Sequence, residues 1–160
     1  MKKYELTDEI KTVVGHTLHR IRACVDVGNN VKAGDFGGWI ESEINLSHDG
    51  DAWVCDNAWV HGNALVCDNA VVRGGAWDKS PLYIQGSKWS VCMTNLTHIQ
   101  IGCQNHSISD WIDHGVAIAR RNHADDIIPE YIWYIVTAAM RYGTADERER
   151  AQKLLAEVYK

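Results

Sequence analysis

The chain has 160 residues, a formal net charge of −5 and 46% hydrophobic residues, enough for one domain with a real core and a small appendage. No long apolar segment and no signal-peptide pattern follows Met1-Lys2-Lys3, which excludes a membrane span and predicts a soluble, cytoplasmic protein. Five cysteines (Cys24, Cys55, Cys67, Cys92, Cys103) are odd in number and unpaired in spacing, so free thiols are expected rather than a disulfide framework.

Residues 4–25 read as an N-terminal hairpin. Tyr4-Glu5-Leu6 leads into a polar turn at Asp8 and Glu9, and Gly15 precedes the second strand, Thr17 to Ala23. Asp26 to Asn30 is a loop. Val31 to Glu41 follows, and Gly34, Gly37 and Gly38 within it predict close backbone approach or positive φ.

From Gly50 to Trp77 the chain repeats every six residues. Alanine recurs at Ala52, Ala58, Ala64, Ala70 and Ala76, and valine at Val54, Val60, Val66 and Val72. Side chains two apart on an extended backbone share a face, so each unit buries one small and one branched side chain. The Gly/Asp and Asn/Asp pairs between units tolerate left-handed corners. The period predicts a short left-handed parallel β-helix over residues 34–104, capped by a hairpin over residues 1–33 and by two to three α-helices over residues 105–160. Residues eighteen apart should then stack, Trp53 over Val71 and Trp59 over Trp77. A set of hairpins is the competing reading, and alanine is a poor filler for a sandwich core.

After the repeats, Lys88–Met93 and Thr97–Cys103 alternate as strands, with Ile99 and Ile101 facing one way. Ser107 opens a helix carrying Ile108, Trp111, Ile112 and Val116. A second helix opens at Pro129 and stops at Gly143; a third takes Thr144 as N-cap and Glu147 at the capping-box position.

The block Gly34-Asp35-Phe36-Gly37-Gly38-Trp39-Ile40-Glu41, then Glu43, Asn45-Leu46-Ser47 and the hexapeptide run, resembles small phage and prophage proteins labelled hexapeptide-transferase-like or polymer-forming (bactofilin-like). Ile99 to Cys103, His106, Ser107-Ile108 and Trp111 are similar to the segment that closes many of them. The resemblance covers roughly residues 4–115 and implies origin and fold more than activity. It implies a mobile-element protein acting against host defences. On that basis the partner is a host bacterial protein or defence complex such as CRISPR-Cas.

The chemistry-bearing residues are few. Many β-helix proteins of this repeat class are acetyltransferases, and His61, at a corner, is the residue placed to be a base. The repeat is too short for a coenzyme A groove, and an exposed corner histidine is the plainer reading. Cys103-x-x-His106, with His98 and Cys92 nearby, has the spacing of half a metal site, and a structural zinc needs four convergent ligands. No nucleophile elbow or phosphate loop is present, so no cofactor, no metal and no catalytic residue is assigned.

Surface chemistry points to binding instead. Residues 41–78 hold seven acids against one base, Arg73, and Asp51, Asp56 and Asp68 sit at corners, where they serve backbone geometry or present carboxylates to a basic groove. Direct nucleic-acid binding is disfavoured, because it needs a basic stripe; the one locally basic segment, Lys11, His16, His19, Arg20 and Arg22, is interleaved with acids. Trp53, Trp59 and Trp77 fall at outward positions, so these tryptophans with Asp51, Asp56 and Asp68 form the expected partner-binding surface, unless the hairpin or helices cover them. Tyr131, Trp133, Tyr134 and Tyr142 form the expected homodimer interface. An acyltransferase, a self-assembling structural module and a nucleotide-sequestering oligomer are the alternatives to a non-enzymatic inhibitor.

Overall fold

A computed structural model describes residues 2–160. The chain divides into a first unit up to Pro81 and a second from Leu82 to Lys160. In the first, β1 (Tyr4–Val13) and β2 (His16–Ala23) form the expected hairpin, followed by β3 (Phe36–Ile40), β4 (Trp53–Val54), β5 (Trp59–Val60), β6 (Val71–Val72) and β7 (Ala76–Trp77). The second holds β8 (Tyr83–Gln85), β9 (Ser90–Asn95), β10 (His98–Ile101), β11 (Gln104–Ser107), α1 (Ile108–Arg121), α2 (Ile128–Tyr142) and α3 (Ala145–Val158).

The left-handed parallel β-helix is not what forms. No closed or solenoidal parallel β-helix is seen among the described residues; the strands make a mixed five-stranded sheet ordered β1-β2-β3-β5-β7, a two-stranded parallel pair β4-β6 and an antiparallel sheet β11-β10-β9-β8. Two physical features defeat the simpler architecture. The six-residue units are cut so often by left-handed corners that each contributes at most two paired residues, and the Gly62–Cys67 unit only the single bridge of Val66 to Leu46. The hairpin, moreover, adds to β3 in antiparallel sense and turns one parallel ladder into a mixed sheet.

The local logic of the repeat is nonetheless visible. Ala52, Ala58, Ala64 and Ala70 and Val54, Val60, Val66 and Val72 are all buried, each valine worth about 1.5–3 kcal/mol of apolar burial. Corners fall at Gly50, Asp56, Gly62 and Asp68, all with φ between 52° and 65°. The next left-handed residue is Gly75, seven on rather than six. That extra residue decides the fate of Trp77. Trp53 pairs with Val71 as the period predicts, but Trp59 pairs with Ala76 and Val60 with Trp77. A slip of one residue moves a side chain to the opposite face of a strand. Trp77 therefore enters the core instead of stacking on Trp59.

The hairpin turn lies at Val14-Gly15, both with positive φ, and not at Asp8-Glu9, which sit within β1 at a register irregularity. Gly37 and Gly38 are required for close approach: a Cβ on Gly38 would lie 2.6 Å from the Ala58 carbonyl oxygen and 2.7 Å from Val54.

In the second unit, Val91, Met93, Ile99 and Ile101 of the antiparallel sheet are buried, as are Trp111, Ile112, Ile132 and Ile135 of the helices. Ser107 caps α1 by accepting from the Asp110 amide, and Thr144 and Glu147 make a reciprocal capping box on α3. These are the helix starts read from the sequence, and α2 ends at Gly143 as expected. Among the described residues, no helix is long and apolar enough to cross a membrane.

Candidate functional site

The strand register sorts the five-stranded sheet into two faces, because residues directly opposite one another project to the same side. Ile40, Val60 and Trp77 form one row, buried to within 1%. The neighbouring row, Arg20, Trp39, Trp59 and Ala76, runs along the other face, and all four are half-buried. Glu41 and His61 each follow this row by two residues and stay on its side.

On that outer face, cations alternate with aromatic rings. The Arg20 guanidinium lies 4.9 Å from the centre of the Phe36 ring and 5.9 Å from that of Trp39. The Lys11 ammonium lies 4.2 Å from Trp39 and 5.7 Å from Trp59. The order is thus Phe36, Arg20, Trp39, Lys11, Trp59, with Phe36 53% exposed at one end. Burial, reinforced by the Arg20 charge, pushes the Lys11 ammonium below its usual range, while Glu9 pairs with Arg20 at 3.1 Å.

At the Trp59 end lies a histidine–carboxylate cluster. Trp59 and His61 have ring centres 6.0 Å apart, and His61 and His16 4.3 Å apart. His16 Nδ1 and Glu41 Oε1 are 2.9 Å apart, and the Gly62 amide donates to Glu41 Oε2 at 2.7 Å. The Gly62 N–H, and then His16, hold the Glu41 carboxyl below its usual value. One ligand atom from each of His16, Glu41 and His61 lies within 4.8 Å of the others, the one group among the described residues with the geometry to hold a metal ion.

The expected tryptophan surface survives at one position of three. Trp59 is on the outer face, but Trp53 is 2% exposed and Trp77 1%. Trp53 is covered by Tyr4 of the hairpin, whose ring meets it edge-on at 6.5 Å, and Trp77 is turned inward by the seven-residue step, its indole donating to the Gly74 carbonyl. Asp51, Asp56 and Asp68 are exposed, and the left-handed φ of Asp56 and Asp68 makes them corner residues. Trp39, Lys11 and the histidine cluster were missed because their meeting depends on strand pairing across widely separated segments. The Gly37-Gly38 pair beside Trp39 was the available signal for that packing.

In the second unit, Tyr131 is buried, its hydroxyl donating to the Trp89 carbonyl at 2.8 Å and accepting from the Trp89 amide at 2.6 Å, so it braces the β8–β9 turn and cannot serve an interface. Trp133 is exposed, while Tyr134 and Tyr142 are half-buried, Tyr134 donating to Glu130 at 2.7 Å. Cys92, His98, Cys103 and His106 do not converge: Cys92 is buried, Cys103 exposed, and His106 packs edge-on against Trp111 at 5.2 Å. None of the five cysteines is joined in a disulfide. A mostly apolar cleft of about 90 Å³, lined by Trp89, Trp111, Tyr131, Ile132 and Ile135 with Gln104 and Asn122 as polar residues, lies between α1, α2 and the antiparallel sheet.

No family model matches this chain, and no curated protein matches it.

Proposed function

We propose that this chain is a non-enzymatic binding protein that docks a host bacterial protein through the outer face of its five-stranded sheet. The observation that carries the reading is the Phe36–Arg20–Trp39–Lys11–Trp59 row. Tryptophan and arginine are the residue types most enriched at interface hot spots, and here they are held by paired strands rather than loops. With His16 and His61 at one end, the face suits a partner that offers carboxylates among apolar side chains. Two fixed cations, one of them paired with Glu9, are too few to neutralise a run of phosphates, which favours a protein over a nucleic acid.

The identity of the partner class comes from the sequence resemblance: a phage or prophage protein acting in the cytoplasm on an anti-phage defence complex such as CRISPR-Cas. Trp133, 50% exposed, meets the exposed Tyr159 edge-on at 6.3 Å, and the exposed Met140 follows Trp133 by two helical turns on the same side of α2, an apolar face suited to a second copy of the chain. Trp133, Tyr134 and Tyr142 thus remain the proposed homodimer surface.

The test is affinity capture from a bacterial host lysate with the wild-type chain and with Trp39→Ala, Trp59→Ala and Trp133→Ala. The docking reading requires a partner retained by wild-type and Trp133→Ala and lost by the two sheet variants, all remaining folded. Equal retention by Trp39→Ala and Trp59→Ala overturns it. Sedimentation of Trp133→Ala against wild-type tests the dimer.

A further inference from the structure

We infer that His16, Glu41 and His61 form a binding site for one zinc-class divalent cation, held by two imidazole nitrogens and one carboxylate oxygen. The site adjoins the Trp59 end of the proposed docking face, but metal uptake is a property of the chain on its own and is tested without a partner. Its three residues come from separate segments: the first position of β2, the residue after β3 and the residue after β5. Each is placed by a paired strand, so the donors are set by the sheet rather than by a loop.

The spacing suits a metal. Donor atoms of a tetrahedral zinc site stand about 3.3 Å apart at ordinary zinc–nitrogen and zinc–oxygen distances. His16 Nδ1 and Glu41 Oε1 are already 2.9 Å apart, and all three donors lie within 4.8 Å of one another. The Gly62 amide fixes Glu41 Oε2, which orients the carboxylate and leaves Oε1 as the donor, the outer hydrogen bond that metal-ligating carboxylates characteristically carry.

A plain ion pair between His16 and Glu41 explains two of the three residues and leaves the third without a reason. His61 brings a second imidazole to the same point, its ring centre 4.3 Å from that of His16 and tilted by 40°. Two imidazoles and one carboxylate form a donor set that suits zinc and other first-row divalent ions, with positions left open for water or an outside ligand. The His16 and Glu41 side chains are 35% and 33% exposed, so a cation reaches them without opening the fold.

Isothermal titration of the folded chain with Zn²⁺, with Co²⁺ as a spectroscopic probe, tests the site. The expected result is one equivalent bound, with affinity reduced at least about tenfold in each of His16→Ala, Glu41→Gln and His61→Ala, the scale on which even outer-sphere partners act. The Co²⁺ form should show ligand-field bands without thiolate charge transfer. His61→Ala is the decisive variant, because it leaves the His16–Glu41 pair in place and so keeps the fold. Trp39→Ala should bind zinc as wild-type does even where it loses the partner, so the two proposals fail separately. Unchanged uptake by His61→Ala, loss of uptake in Cys103→Ser, or no uptake by the folded wild-type chain overturns the site.

Discussion

Trp39 stands directly opposite Trp59 on parallel strands, and the Lys11 ammonium lies over both rings, closer to Trp39. A cation held over an aromatic face contributes roughly 0.5–1 kcal/mol at an exposed site, so this triplet stiffens the face more than it stabilises the fold. Rigid aromatic side chains lose little entropy on docking, which suits the row to recognition.

Substitutions at the four tryptophans separate recognition from folding. Trp39→Ala and Trp59→Ala remove half-buried rings and should leave a cooperative fold while abolishing partner capture. Trp53→Ala and Trp77→Ala remove buried rings and should destabilise by about 3–5 kcal/mol. Urea unfolding of the four variants checks this, and an intact midpoint for Trp77→Ala would contradict its placement in the core.

That contrast also marks what the sequence could and could not tell. The alanine and valine columns are local, and their burial from Ala52 to Val72 followed from a two-residue alternation, which fails only at Ala76, beyond the seven-residue step. The helix caps at Ser107 and Thr144 are likewise local. Trp77 was misplaced because one additional residue before Gly75 changes its face, and nothing in the identity of Arg73-Gly74-Gly75 shows which glycine takes the corner. The architecture was misread for a related reason: a strict period shows that parallel pairing occurs, not where an antiparallel hairpin will join it. The meeting of His16, Glu41 and His61 depends on that joining and left no trace in spacing.

The corners supply a second prediction. Gly50 and Gly62 have nearly the same φ, 65° and 60°, but a Cβ on Gly50 would lie 2.2 Å from the Asp68 carbonyl oxygen, while Gly62 faces open space. Gly62→Ala should therefore lose only the left-handed preference, about 1–2 kcal/mol. Gly50→Ala adds a backbone clash and should cost clearly more. Gly62→Asn should be milder than Gly62→Ala, since short polar side chains tolerate this φ. Thermal unfolding of the three variants gives the order directly.

Glu41 should contribute to acid sensitivity. Its carboxyl titrates below the ordinary value of 4.5, chiefly through the Gly62 amide and then His16. A depressed carboxyl stabilises the fold above its unfolded value and loses that contribution as pH falls through the lower folded value. Glu41→Gln should be less stable than wild-type at neutral pH, and the two should converge as pH falls through the lowered folded value of Glu41. Urea midpoints across that range measure it; a constant difference would show that the carboxylate charge is not the source.

Asn45 is the buried polar pin of the first unit. It is fully buried; its Oδ1 accepts from the Ser42 amide at 2.9 Å, and its Nδ2 donates to the carbonyls of Gly62 and Ala64 at 3.0 and 2.8 Å. Asn45→Ala leaves one amide and two carbonyls without these partners and should destabilise by about 2–3 kcal/mol. Asn45→Asp keeps the acceptor for Ser42 but sets a carboxylate against two carbonyl oxygens. Burial and that repulsion raise the new carboxyl's titration point, so this variant should gain stability relative to Asn45→Ala as pH falls and the acid becomes a donor. Comparing the two variants' unfolding midpoints across acid pH checks the sign. A parallel pH dependence would mean that the Nδ2 hydrogen bonds are not what holds the Gly62–Ala64 corner in place.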